Sequence, residues 1–339
     1  MKTAVIGDGA WGTALALVLC RNGHDVYLWG PFPEYIEQMS DTRENGQFLP
    51  GVRIPEEIRL TSDLRQAVQG AGLLVLATPS QFMRNVLKKL GETERTPDAI
   101  YLNVAKGLEL ETGLRMGQLV DAELGDVPYG VLSGPSHAEE VAEAVPTAVV
   151  AASADKELRE KVQSWFGNET FRVYTCDDTV GAELGGALKN VLAIGVGFCD
   201  GMGLGDNPKA ALITRGIAEM ARLGQAVGGR AETFAGLSGI GDLVVTCMSE
   251  HSRNRYVGRE LGRGRSAEDI QKTMGNTVAE GVKTAASARS FAQQYSVDAP
   301  ITNAVYEKLY EGKTCQAVIE ELMTRKPKPE HYGEEGWMP

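Results

Sequence analysis

Two hydrophobic rhythms divide the chain. In the first half, short apolar runs alternate with longer amphipathic segments. "KTAVI" (2–6) predicts a short buried strand, residues 10–22 a helix ending at Gly23, and "DVYLW" (25–29) a second strand. The alternation continues. Ser62 is placed to cap a helix running to about Gln69. "LLVLATPS" (73–80) reads as a strand stopped by Thr78-Pro79, and residues 81–90 as a helix. "AIYLNVAKG" (99–107) reads as a strand ending at Lys106-Gly107, and "YGVLSGPS" (129–136) and "PTAVVAAS" (146–153) are strand-like. Strands alternating with helices imply a mostly parallel sheet covered on both faces. Near Asp177 the rhythm changes, and from Thr179 to about Tyr310 the pattern is helical. The expected architecture is therefore α/β: an N-terminal Rossmann-type doubly wound sheet over residues 1–178, then an all-helical domain over 179–339. The tail "TRKPKPEHYGEEGWMP" is polar and proline-bearing, and is expected to be loosely ordered.

Charge narrows the function. A net charge of −11 opposes broad nucleic-acid binding and adhesion to anionic membranes. No apolar stretch approaches the roughly 18 residues of a membrane span, so none is expected, and with a strand-like run at the start no signal peptide is expected either. The five cysteines form no C-x-x-C pair, which suggests buried free thiols in a reducing, cytoplasmic compartment rather than disulfides or a zinc site. His24, His137, His251 and His331 show neither metal-ligand nor triad spacing, and no metal is expected.

Gly7, Gly9 and Gly12 form a G-x-G-x-x-G turn between the first strand and the first helix. In that context the first glycine permits the tight turn, the second lets backbone approach a pyrophosphate, and the third lets helix and strand pack closely. The phosphates would meet the free N–H groups and dipole of the helix N-terminus. Trp11 is either a packing residue or a lid over the cofactor. An acid about 20 residues after the first glycine would mark NAD. That region reads Tyr27-Leu28-Trp29-Gly30-Pro31, with no base placed for a 2′-phosphate, so NAD and NADP both remain open.

Other candidates carry charge in telling places. Lys106 follows a strand at the carboxyl edge of the sheet, where open α/β folds bind ligands; it is an anion-binding lysine or an exposed loop residue. "LSGPS" (132–136) could present backbone N–H groups near Ser136, or be an ordinary turn. In "GAELGGALKNVLAIGVGF" (181–198), Lys189 is the one charge between Gly185 and Phe198. A helix apolar on every side is buried, and burial would depress the lysine pKa toward a value useful for general acid/base work. Gly185 and Gly186, on the same face, would leave room for a ligand. Asp242, in "GLSGIGDLVVTC", could hold a lysine or a substrate hydroxyl, or cap a helix. "SRNR" gathers Ser252, Arg253, Asn254 and Arg255, and arginine forks match phosphate oxygens.

Taken in order, "GDGAWGTALA", "AKGLE", "SGP", "GGALKNVLAIGVG", "ALITRG", "GLSGIGDLVVTC" and "SRNR" resemble the bacterial NAD(P)-dependent glycerol-3-phosphate dehydrogenases from Val5 to about Lys313. The resemblance implies a Rossmann domain and a helical domain that often forms homodimers. It also implies interconversion of dihydroxyacetone phosphate and sn-glycerol 3-phosphate for phospholipid synthesis, with no membrane insertion. Position by position, Lys189 matches the general acid/base, and Lys106 a residue touching substrate and cofactor. Gly134, Ser136, Asp242, Ser252, Arg253 and Asn254 match the substrate site, with Arg253 also near the cofactor. Asn190 and Thr246 match active-site neighbours of related eukaryotic enzymes. Ala138, Val278 and Glu280 match cofactor contacts, as do Gly7, Gly9, Ala10, Trp11, Gly12 and Pro31 around the glycine turn. Pro31 stands where the family often has a basic or polar residue, Ala10 where it often has serine, and His137 where an aromatic is common. The rival readings are a dehydrogenase of another small acid on the same plan, and a cofactor-sensing regulator without catalysis.

Overall fold

The computed structural model describes residues 1–94, 96–274 and 279–330. The first half alternates as its apolar rhythm requires: β1 (Lys2–Ile6), α1 (Ala10–Arg21), β2 (Asp25–Trp29), α2 (Pro33–Thr42), β3 (Glu44–Asn45), β4 (Leu49–Arg53), β5 (Arg59–Thr61), α3 (Leu64–Val68), β6 (Leu73–Leu76) and α4 (Ser80–Gly91). It continues with β7 (Ile100–Asn103), α5 (Met116–Leu124), β8 (Tyr129–Ser133), α6 (Ala138–Ala142), β9 (Thr147–Ala152), α7 (Lys156–Phe166) and β10 (Phe171–Cys176). Helices follow: α8 (Thr179–Gly201), α9 (Asp206–Gln225), α10 (Ala231–Phe234), a π-helical turn (Leu237–Gly241), α11 (Asp242–Met248), α12 (Arg253–Gly262), α13 (Ala267–Met274), α14 (Glu280–Gln294), α15 (Pro300–Tyr310) and α16 (Cys315–Met323).

The chain forms two compact units. One comprises Met1–Lys106 and Leu114–Glu183, the other Gly107–Gly113 and Leu184–Pro339. In the first, the main sheet among the described residues has the order β10-β9-β8-β7-β6-β1-β2-β5. Strands β5, β2, β1, β6, β7 and β8 are mutually parallel, while β9 pairs antiparallel with β8 and carries β10 with it. The reversal at β1, with β2 on one side and β6 on the other, creates the topological switch point where such sheets bind ligands. Successive residues point to opposite faces. Val5 and Leu28 join Leu15, Val162 and Phe166 on one side; Ala4, Ile6 and Trp29 join Met83, Leu87 and Leu119 on the other. Burial on both faces is why these strands read as unbroken apolar runs.

Several expected boundaries move. The cap of α3 is Asp63, not Ser62: its carboxylate accepts from the N–H groups of Arg65 and Gln66. Strand β7 ends at Asn103, where the side chain turns back to bond Ala105 on both its N–H and its carbonyl. Gly23 does sit just past α1 with φ +78°, the left-handed position that glycine fills without strain.

In the second unit α8 is the axis, and its apolar surround demands this. Asp178 opens it by accepting from the Gly181 N–H at 2.7 Å, a cap of about 1 kcal/mol. By length and hydropathy alone α8 could cross a membrane, contrary to the expectation from the sequence, but its apolar window is wholly buried, as in a core helix. Glycines set how closely it is approached. A Cβ on Gly197 would lie 2.3 Å from the Arg255 carbonyl oxygen, and one on Gly258 2.0 Å from that of Ile194. Backbone-to-backbone packing of α8 on α12 is possible only without side chains there.

Candidate active site

In the first unit, the G-x-G-x-x-G turn has the shape its spacing predicts. Gly7 has φ +130°, and a Cβ there would strike the Ala77–Thr78 peptide at 2.7–2.9 Å. A Cβ on Gly12 would lie 1.9 Å from the Gly7 carbonyl oxygen. Nothing lies within 4 Å of a Cβ on Gly9, so that face of the backbone is open. Gly9 caps α1 with no side chain, which leaves the first N–H groups of the helix available to an anion. These features fit a dinucleotide pyrophosphate. Ala10 opens the helix, and Trp11 packs against the apolar cluster of this unit, which favours its packing reading. Pro31 is exposed just beyond β2.

Along the same carboxyl edge, Lys106 donates from Nζ to the Gly134 carbonyl at 2.9 Å, and Ser136 Oγ donates to that carbonyl at 3.0 Å. Gly134 has φ +134° and lies against Val149, where a Cβ would sit 3.0 Å from its Cα. The sheet edge therefore gathers Lys106, Gly134 and Ser136. Ser136 lies one residue before the N-cap of α6, His137, with Ala138 the first helical residue.

In the second unit Lys189 is 7% exposed. Its ammonium donates to Asp242 Oδ1, and to Thr246 Oγ1 at 2.7 Å; Thr246 in turn donates to the Asp242 carbonyl at 2.6 Å. Asp242 is wholly buried at the start of α11, directly after the π-helical turn. The Asp242 carboxylate and the Thr246 hydroxyl hold the ammonium by charge-assisted hydrogen bonds inside the unit. Cys247 lies beside this pair, its thiol pushed up to about 12 by burial and so inert.

The sequence reading gave Gly185 the wrong role. A Cβ there would lie 2.2 Å from the Ser238 carbonyl oxygen, so its bare face admits the π-helical turn, not a ligand. That close approach is what delivers Asp242 to Lys189. Glycine-to-glycine crossings are hard to foresee, although the four-residue spacings Gly197/Gly201 and Gly258/Gly262 were a visible signal.

Asn190 accepts from Asn254 Nδ2 at 2.9 Å, and Asn254 Oδ1 accepts from the Gly281 N–H at 2.9 Å. Glu280 precedes Gly281 at the start of α14. Ser252 caps α12 by accepting from the Arg255 N–H, and the exposed Arg253 is the first residue of that helix. A guanidinium and a helix N-terminus at one point suit a phosphate. Arg255 leaves the expected cluster: it bonds Asp200 Oδ2 at 2.7 Å and Glu250 Oε1 at 2.7 Å. Val278 lies outside the described residues.

The sequence reading assigned no role to two buried acids. Glu183 accepts from the Tyr129 hydroxyl at 2.6 Å and the Gly117 N–H at 2.7 Å, and pairs with Arg115. Glu219 accepts from the N–H groups of Ile301 and Thr302 at the start of α15, and burial pushes its carboxyl up.

Comparison with known proteins matches two family models, the NAD-dependent glycerol-3-phosphate dehydrogenase N-terminus over residues 2–159 and C-terminus over 178–320. The chain belongs to the NAD-dependent glycerol-3-phosphate dehydrogenase family. A relative from Chlorobium phaeobacteroides named glycerol-3-phosphate dehydrogenase [NAD(P)+] is 50% identical over 333 residues, 97% of this chain and 99% of its own. One of the same name from Moorella thermoacetica is 51% identical over 322 residues, 95% of each chain. The crystal structure of glycerol-3-phosphate dehydrogenase from Coxiella burnetii superposes with a TM-score of 0.92 at 37% identity, covering 95% of this chain and 98% of that one. Membership of the glycerol-3-phosphate dehydrogenase family agrees with an NAD(P)-type glycine turn in the first unit and a buried lysine in the second.

Proposed function

We infer that this chain reversibly reduces dihydroxyacetone phosphate to sn-glycerol 3-phosphate with NADH or NADPH, and that the product supplies glycerophospholipid synthesis. The observation that carries the reading is Lys189, a buried ammonium on an otherwise apolar helix, bonded to Asp242 and Thr246 in a chain of this family.

When bound, the nicotinamide cofactor supplies the hydride. The protein's part is orientation, charge and a proton. The Gly7–Gly12 turn and the first N–H groups of α1 hold the pyrophosphate. Arg253, at the N-terminus of α12, binds the substrate phosphate, and this anchoring fixes the carbonyl carbon for attack. Lys189 Nζ bonds the carbonyl oxygen and stabilises the charge that develops there, an effect of about 10²–10³ in rate for one such donor. It then gives that oxygen its proton, and takes it back in the reverse direction. Asp242 and Thr246 hold the ammonium in position. The family resemblance assigns substrate contacts to Asn190 and Asn254, and likewise to Lys106, Gly134 and Ser136. The family resemblance assigns cofactor contacts to Ala138 and likewise to Glu280.

We further assign the enzyme to the cytoplasm as a homodimer. All five cysteines are free, which suits a reducing compartment. The dimer rests on the family resemblance, and sedimentation at micromolar concentration tests it.

A substrate panel followed at 340 nm tests the function. Consumption of NADH or NADPH with dihydroxyacetone phosphate, and none with 2-oxo acids, is the expected result. Turnover of carboxylates alone would install the rival dehydrogenase, and no turnover at all the regulator.

A further inference from the structure

The end of β2 lacks the acid that binds adenosine ribose in NAD-specific sheets of this kind. The residues there are Trp29, Gly30 and Pro31. The structure places another carboxylate at that spot. Asp8 follows the first glycine of the turn, and the Gly7 N–H donates to the Trp29 carbonyl at 2.9 Å, tying the two strand ends together. A Cβ on Gly30 would lie 2.2 Å from Asp8 Oδ2 and 2.5 Å from its Cγ. The Asp8 carboxyl thus occupies the space of a side chain at residue 30.

We propose that Asp8 is the ribose-binding acid of this enzyme, and that its charge makes NADH the preferred cofactor over NADPH. The proposal rests on the dinucleotide reading of the glycine turn.

Three further observations support it. Asp8 is 7% exposed, and its Oδ2 has no hydrogen-bond partner among the described residues. A buried carboxylate oxygen without a donor is costly, and a pair of ribose hydroxyls is a donor set of the right kind. Its backbone is pinned: Asn45 Nδ2 donates to the Asp8 carbonyl and to Thr13 Oγ1, both at 2.7 Å, while Asn45 Oδ1 accepts from the Tyr35 hydroxyl at 2.6 Å. The carboxyl is therefore presented rigidly. Finally, residues 30–42, directly after β2, include no lysine or arginine for a 2′-phosphate. The first basic residue after β2 is Arg43, whose guanidinium is committed to the carbonyls of Ile54, Pro55 and Ile58. Burial pushes the Asp8 carboxyl up to about 6, so near pH 7.5 it is chiefly ionised and repels a phosphate dianion.

Binding of NADH and NADPH, read by calorimetry at pH 7.5 on wild type, Asp8→Asn and Asp8→Ala, tests the assignment. Wild type should bind NADH at least about tenfold more tightly than NADPH, since NADH offers a charge-assisted hydrogen bond to the carboxylate and NADPH a repelling phosphate. In both variants that ratio should fall to about threefold or less, by weaker NADH and stronger NADPH binding. Asp8→Asn keeps the shape and removes the charge, so loss of preference there cannot be ascribed to unfolding. Equal wild-type affinities, or an unchanged ratio in both variants, would overturn the role of Asp8 while leaving the dinucleotide site intact. Failure of wild type to bind either cofactor would overturn both.

Discussion

The ammonium–carboxylate pair at the centre of the second unit depends on a glycine that touches neither group. Replacing Gly185 by alanine places a Cβ 2.2 Å from the Ser238 carbonyl oxygen, where ordinary contact begins at 3.4 Å. The difference means that α8 and the π-helical turn must separate by about 1 Å. Neither neighbour is the free end of a flexible side chain, since the obstacle is backbone. Overpacking of this kind costs about 1–3 kcal/mol, and the better helix propensity of alanine returns at most about 1 kcal/mol. Asp242 begins one residue after the turn, so the displacement carries its carboxylate away from Lys189. A misplacement near 1 Å at a reacting group costs about 10²-fold in rate. Gly185→Ala should therefore lower kcat by about 10²-fold, with a loss of no more than about 3 kcal/mol in stability. Steady-state oxidation of NADH with dihydroxyacetone phosphate gives the first number, and urea denaturation the second. A folded variant with wild-type kcat would show that the approach at Ser238 does not position the pair.

Other consequences follow from single residues. Arg253→Ala should raise KM for dihydroxyacetone phosphate about tenfold or more, with a smaller change in kcat, because it removes the guanidinium proposed to bind the substrate phosphate; an unchanged KM would move the phosphate elsewhere. Glu219→Ala deprives the Ile301 and Thr302 N–H groups of their buried acceptor, and should lower unfolding stability by about 2–4 kcal/mol; Glu219→Gln should restore part of it. Asp8 has a folded-state pKa of about 6 against 3.8 for an unperturbed carboxyl. Its protonated form is favoured by folding, so its contribution is present below about pH 4 and lost as pH rises through 6. Relative to Asp8→Asn, the cofactor-free wild type should lose up to about 3 kcal/mol of stability between pH 4 and pH 8, a trend that denaturation at a series of pH values will read; a flat difference would mean that the carboxyl is not desolvated.

The fold was legible where burial dictates pattern. Apolar runs such as Leu73–Leu76 and Ala4–Ile6, set between turn residues and helical stretches, read as strands covered on both faces, and Lys189 stands out as the one charge between Gly185 and Phe198. Direction was not legible, since the alternation in Thr147–Ala152 is the same whether β9 runs parallel or antiparallel to β8. Short edge strands such as Arg59–Thr61 carry too few residues to show a period, whereas Phe171–Cys176 alternates as a half-exposed edge strand does and was a visible signal. At the site, residue types were readable but not the reason for each glycine: Gly185, Gly197 and Gly258 owe their identity to backbone from distant segments. Asp8 escaped notice because the ribose acid is expected at the end of the second strand, and only folding brings the first turn to that place. Glu183 and Glu219 are buried acids whose partners lie 54 and more residues away, beyond any local pattern.

The most direct measurement of the central claim is turnover by Lys189→Ala, with NADH binding read in parallel by fluorescence. Loss of the proton donor and of its charge together should lower kcat by about 10³-fold or more, while the dissociation constant for NADH stays within about twofold of wild type. Near wild-type turnover by a folded Lys189→Ala enzyme would contradict the account, for it would leave the buried ammonium with no part in the chemistry.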